Sequence, residues 1–309
     1  MKRSISLVSC IILGITLAHA PVAIAGTVVG WGYDGYGVVS GIPAGNQFVD
    51  VSAYEAHGLA LRADGTIAAW GSNSVGETTV PAGLYKDVAA GQVTSYAVRT
   101  DGTLAAWGYD GNGQVSGAPA GAFTKVTAGR LHATALRADG TAIAWGVSSG
   151  TPTGTFRDVS SGFDWSLGLH TDGSLEAWGA QNAYNQFTVP TGTGFLAAAA
   201  GSFHGVAIKF DGSLIAWGDT SLGTNLVPSG NNFIAVEAGH YHSIALRSDG
   251  SLVAWGLNDF GQNNVSAATP FFGLSAGNRM HMAILVPEPV SLAGLMSAAG
   301  LLRRRRRAA

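Results

Sequence analysis

The sequence predicts an all-β fold, a seven-bladed β-propeller closed by pairing of its first and last strands. Three observations carry that expectation. Trp-Gly occurs seven times, with Trp at 31, 70, 107, 145, 178, 217 and 255, at spacings of 39, 37, 38, 33, 39 and 38. Asp-Gly stands six residues before each of the last six, at Asp64, Asp101, Asp139, Asp172, Asp211 and Asp249. The two ends of the repeat region are complementary halves: TVVGWG at 27–32 lacks the strand that should precede it, and AGNRMHMAIL at 276–285 lacks the one that should follow. Hairpin repeats of this length build propellers or solenoids. A solenoid carries distinct polar caps, whereas two halves that complete each other close a ring.

Within a unit, Asp-Gly between short apolar runs signals a hairpin, expected here as a type I′ turn with positive φ at both central residues. The strands 133–137 and 141–145 flanking Asp139-Gly140 are apolar on both faces and rich in Ala, which suits sheets packed against neighbouring sheets. Gly-rich connections such as GYDGNGQVSGAPAG at 108–121 lead to the next unit. Composition agrees. The chain has 45 Gly among 309 residues, only 10 Pro, 47% hydrophobic and 12% charged residues. Collagen and disorder are excluded, and the glycine belongs to turns.

The repeated unit A-G-x-x-H-x-x-A-L-R-x-D-G-x-x-x-A-W-G, followed by loops such as WGLNDFGQ at 255–262, resembles the regulator of chromosome condensation repeats, in the short form of bacterial members. Those members include secreted propellers that inhibit beta-lactamases by protein contact. The resemblance covers essentially all of 26–286 and implies a propeller domain there, with no cofactor and no particular partner. Unit four departs from the pattern, with a 33-residue spacing and Trp165 at the usual His position.

The ends read as export signals. Residues 1–25 have Lys2 and Arg3, an apolar run and Ala23-Ile24-Ala25, so cleavage after Ala25 is expected. Cys10, the only cysteine, lies inside this segment. Segment 287–309 has Pro287-Glu288-Pro289, thirteen uncharged residues at 290–302 and five arginines, Arg303, Arg304, Arg305, Arg306 and Arg307. It resembles a PEP-CTERM sorting signal. The resemblance implies an exosortase-type processing protease as partner, a short transmembrane helix before processing, and a cell-envelope or extracellular destination in a bacterium that makes exopolysaccharide. A thirteen-residue helix spans only about 20 Å of the roughly 30 Å bilayer core, so thinning or arginine snorkelling would be needed. Seven of the 17 basic residues lie in these ends, whereas all 19 acidic residues lie between Gly26 and Pro289, giving that stretch a net charge of −9. Nucleic-acid binding is disfavoured on charge; a monomer is expected.

Candidate chemistry is sparse. His57, His132, His204 and His242 stand seven residues before an Asp-Gly, in a slot that Thr94, Trp165 and Met280 fill in other units. A slot that accepts such different residues reads as structural rather than as a metal site. The Gly146-Val147-Ser148-Ser149-Gly150 string matches a nucleophile elbow but follows a propeller strand, with no base placed for it. Asp34 and Asp110 hint at calcium loops, which turn chemistry explains equally well. What varies is the pair of residues just before the slot. Glu55, Gln92, Arg130, Phe163, Asp164, Phe203, His240, Tyr241 and Arg279, with Trp165, are the candidate ligand-binding residues on one face. They suggest a binding module for a protein or a matrix glycan, since aromatic and Arg side chains anchor interfaces. An alternative is a polysaccharide lyase or hydrolase in the central funnel, although Glu55, Asp164 and Glu176 are not visibly paired. A structural role in the extracellular matrix is a third reading.

Overall fold

A computed structural model of the chain describes residues 25–147, 150–180 and 182–287. The expected signal segment up to residue 24, the stretch from Glu288 onward, and Ser148 and Ser149 of the Gly146–Gly150 string lie outside the described residues.

Seven three-stranded antiparallel sheets follow one another along the chain. Blade one is Phe48–Ala53, His57–Arg62 and Ile67–Gly71. Blades two to six repeat it, with inner strands Tyr85–Ala90, Phe123–Ala128, Phe156–Ser161, Phe195–Ala200 and Phe233–Ala238. Blade seven takes Phe271–Ala276 and Met280–Leu285 from the end of the repeat region and Thr27–Gly32 from its beginning. In that closing pair Thr27 faces Leu285 and Gly32 faces Met280. The two half-units complete each other as the sequence requires.

The first strand of each blade packs against those of its neighbours around the axis. Each opens with a buried aromatic residue, and Arg62, Arg137 and Arg247 lie over Phe48, Phe123 and Phe233 at 5.3–5.6 Å. The apolar core lies between blades. One cluster joins Tyr96 and Val98 of blade two to Phe123, Val126 and Trp145 of blade three; another joins Val206 and Ile208 to Phe233, Val236 and Trp255. Burying sheet faces against neighbouring sheets explains why the strands are apolar on both sides.

The Asp-Gly turns differ from expectation. Gly140 has φ +88°, but Asp139 does not have positive φ, and the same holds in the other five Asp-Gly turns. Gly140 N–H donates to Arg137 O at 3.1 Å and Arg137 N–H to Thr141 O at 2.8 Å. That pattern is a three-residue hairpin loop, a turn followed by a left-handed Gly, rather than a type I′ turn. The Asp side chain is the reason: Asp139 Oδ1 accepts from Thr141 N–H at 2.9 Å and from its hydroxyl at 2.7 Å. Each of the six turns has this local cap, and its hydrogen bonds hold the six carboxyls below the usual range.

Trp-Gly has two jobs. The indole N–H of Trp70, Trp107, Trp145, Trp217 and Trp255 donates to a carbonyl in the loop entering its own blade, at 2.8–2.9 Å. The following Gly turns the chain at positive φ; a Cβ on Gly71 would meet Ala56 O at 2.4 Å.

Candidate functional site

The slot residues are load points of the ring. Nε2 of His57, His132 and His204 lies 2.8–2.9 Å from Ser95, Ser166 and Ser243 Oγ of the next blade. All are buried. Burial pulls His57, His132 and His242 down to about 4 and His204 to about 3, so the rings are neutral at pH 7. His242 meets His281 edge-on at 4.4 Å instead of a serine. His57, His132 and His204 thus make the structural hydrogen bond expected of the slot, whereas His242 makes no such bond to a serine of the next blade.

Trp165 is corrected by the same geometry. Expected on the binding face, it is fully buried, and its indole donates to Gly201 O at 2.9 Å. It replaces the His-to-Ser bond by reaching the next blade's backbone, and cannot touch a ligand.

The other candidates share one face, and its backbone is pinned. Gln92, Arg130, Ser202 and Asn278 N–H donate to Gly129, Phe163, Gly239 and Tyr54 O of the following blade at 2.9–3.4 Å. Arg130 forms a two-pronged pair with buried Asp164, at 3.1 and 2.7 Å, and its guanidinium lies 4.4 Å over Phe163. From there aromatic rings run across blades four to six. Phe163 is 5.6 Å from Phe203, Phe203 is 5.4 Å from both His240 and Tyr241, and those two are 4.2 Å apart. Burial, then the Arg279 charge, hold His240 below the ordinary range. Gln92 donates to Glu55 at 3.2 Å, and Arg279 stacks 5.1 Å over Phe260. Asp164 is thus a buried anchor for Arg130 rather than a free contact.

The sequence reading missed an outer set on this face. Tyr36, Val75, Tyr184, Leu222 and Phe260 cap the loops after Trp-Gly and are exposed by 38–52%. These loops begin beside the candidate residues: Ser72, Asp219 and Leu257 N–H donate to Ala56, Phe203 and Tyr241 O. Tyr184 packs 4.9 Å from Phe203, and Phe260 5.1 Å from Tyr33. The signal was present, because an apolar residue recurs five or six places after Trp. Below three of the tips a buried side chain folds the loop, with Glu77, Gln186 and Gln262 accepting from Val75, Tyr184 and Phe260 N–H at 2.8–3.0 Å. Asp34 and Asp110 do the same turn work, each accepting two backbone N–H groups.

The carboxylates considered for hydrolysis do not converge. Asp164 is taken by Arg130, Glu55 by Gln92, and Glu176 lies 3.0 Å from His170 and bonds Thr153. Among the described residues no group of three or more His, Cys, Asp or Glu is placed to hold a metal. Acidic groups gather elsewhere, on the axis. Asp50, Asp87, Lys125 and Asp158 occupy the third position of the inner strands of blades one to four, and Glu237 lies on that of blade six. Lys125 Nζ is 2.5 Å from Asp158 Oδ1. Burial pushes Asp87 and Glu237 up to about 7 and Asp50 well above the usual range.

Comparison with known proteins agrees with this architecture. A family model for the regulator of chromosome condensation (RCC1) repeat matches residues 48–77 and 233–262. Prp20p from Saccharomyces cerevisiae, described with its binding properties to Gsp1p and histones, superimposes with TM-score 0.72 at 15% identity, over 91% of this chain and 95% of that one. Human WBSCR16 gives TM-score 0.72 at 16% identity over 86% and 100%. The ectodomain of the Physcomitrella patens receptor kinase CR4 gives 0.63 at 24% over 73% and 65%. These likenesses establish the propeller fold. No curated protein matches the chain.

Proposed function

We propose that the chain is an exported propeller of RCC1-like repeats that binds a protein partner at the cell surface through its slot face. One observation carries the reading: the aromatic run Phe163, Phe203, His240, Tyr241 and Tyr184, half-buried or exposed, sits on backbone tied from blade to blade. A rigid aromatic platform loses little conformational entropy on binding, and aromatic anchors dominate interface energies. Prp20p, with the same fold, has binding properties to Gsp1p and histones. That parallel supports a protein partner in kind, not in identity.

The export readings stand with it. The expected signal segment and the tail resembling PEP-CTERM support secretion, processing by an exosortase-type protease and delivery to the envelope. Gly26 to Pro289 carries −9, which favours a partner that is not a polyanion.

The test is quantitative binding of purified residues 26–286 to separated envelope proteins and to exopolysaccharide from the source organism, with Phe203→Ala and Tyr241→Ala alongside. Saturable protein binding weakened at least about tenfold by either change supports the reading. Binding to polysaccharide alone would replace it with glycan recognition, and polysaccharide turnover would replace it with an enzyme.

A further inference from the structure

We propose that Lys125 and Asp158 form an intramolecular isopeptide bond, a covalent staple between the inner strands of blades three and four. Lys125 Nζ lies 2.5 Å from Asp158 Oδ1, with the two side chains only 11% and 22% exposed. Three more carboxyls, Asp50, Asp87 and Glu237, reach the same axis from blades one, two and six. One ammonium, largely buried, therefore lies within electrostatic reach of four carboxyls.

Such an excess of buried acid requires some carboxyls to hold protons, because like charges at close range cannot all ionise. Asp87 and Glu237 are raised to about 7 by burial, and each is close enough to feel the charges of both Lys125 and Asp158. Burial alone would lower Lys125, but Asp158, Asp87 and Glu237 outweigh it and raise the ammonium above the ordinary range. Attack by nitrogen needs the pair in its neutral form, an amine beside a carboxylic acid, reached when one proton passes from Nζ to the carboxylate it touches. That form is a minor one, so the step is slow.

The amine lone pair attacks Asp158 Cγ and the new C–N bond forms. A protonated neighbour, Asp87 or Glu237, gives its proton to the departing hydroxyl and recovers one from Nζ. The C–O bond breaks, one water leaves, and ammonium plus carboxylate have become an amide with no oxidant or co-reactant. Fixed neighbours react with effective molarities of about 10⁵–10⁸ M, and an amide once formed is hydrolysed only slowly at neutral pH. Two charges that are costly to bury disappear. A chain whose only cysteine lies in the expected signal segment gains by this route a cross-link that disulfides cannot supply.

The test is the intact mass of the purified chain after a week at neutral pH, followed by protease digestion and fragment sequencing. The expected result is a mass lower by one water and a branched peptide joining the segments that contain Lys125 and Asp158. Lys125→Arg and Asp158→Ala should both run at full mass. Asp-Gly turns can also lose water by cyclising on their own backbone, but that loss would persist in Lys125→Arg and give no branched peptide. A wild-type chain at full mass, or a water loss that survives Lys125→Arg, overturns the proposal. The wild-type measurement decides even if a variant fails to fold.

Discussion

His132→Thr turns the neutral, buried histidines into a measurable pH dependence. Blade two already carries Thr94 in this slot, so the ring tolerates the residue. His132 is 1% exposed and pulled down to about 4, mainly by burial. A folded value below the unfolded one, about 6.5, gives stability that is present above pH 6.5 and lost as pH falls toward 4. At pH 5 the unfolded histidine takes up a proton that the folded one refuses, which costs the native state roughly 2 kcal/mol. At pH 7.5 the substitution should destabilise by about 2 kcal/mol, from the lost Ser166 contact and the smaller side chain. Thr does not titrate, so that deficit should shrink nearly to nothing at pH 5. In thermal melts a gap of about 4–8 °C at pH 7.5 should close at pH 5. A gap of equal size at both pH values would refute the reasoning. His57, His204 and His242 add similar amounts, roughly 8 kcal/mol for the four at pH 5. Asp87 and Glu237 work the other way: their raised values give stability at low pH that is lost as pH rises through 7. They return roughly 4 kcal/mol over the same interval.

Asp87→Asn keeps an acceptor for Val126 N–H, which Asp87 Oδ2 meets at 2.7 Å, while removing the buried charge. It should raise the melting temperature at pH 8.5 by several degrees and change it little at pH 5, as followed by calorimetry. Gly205→Val should unfold the protein or cost about 3 kcal/mol in urea titration, because a Cβ there would meet the Trp217 ring at 2.3 Å. Arg130→Ala should cost the fold about 3 kcal/mol in urea titration by leaving Asp164 buried and unpaired, while the exposed far-face variant Leu84→Ala changes stability little. Trp165→His should fold, since His stands in that slot in four other blades, and should bind with the affinity of the wild type, because the residue is wholly internal.

Sequence reading recovered the ring because the propeller writes it into spacing. Trp-Gly marks the end of each outer strand, Asp-Gly marks each hairpin, and the half-units at 27–32 and 276–285 announce the closing pair. The turn type was not legible, because Asp-Gly fits both loop geometries and the choice lies in whether Asp139 reaches Thr141. Trp165 misled because an off-pattern aromatic looks like a ligand contact, when unit four uses its indole to reach the Gly201 carbonyl. The axial charges hid among inner strands that otherwise look apolar; only alignment of Asp50, Asp87, Lys125 and Asp158 at one strand position brings them together. The loop tips were passed over as turn punctuation, since Tyr184 and Phe260 sit among Gly and Asn.

Pairing of Thr27–Gly32 with Met280–Leu285 also sets the order of events in folding. Contacts between nearby residues form early, and those that span the chain wait for the largest loop to close. Blades one to six are each made of consecutive residues and can form as the chain emerges. The seventh cannot exist until its last strand has been made, some two hundred and fifty residues after its first. Until then the nascent disc is an open arc with two bare apolar flanks, and the final strand acts as the clasp that ends its exposure to other chains.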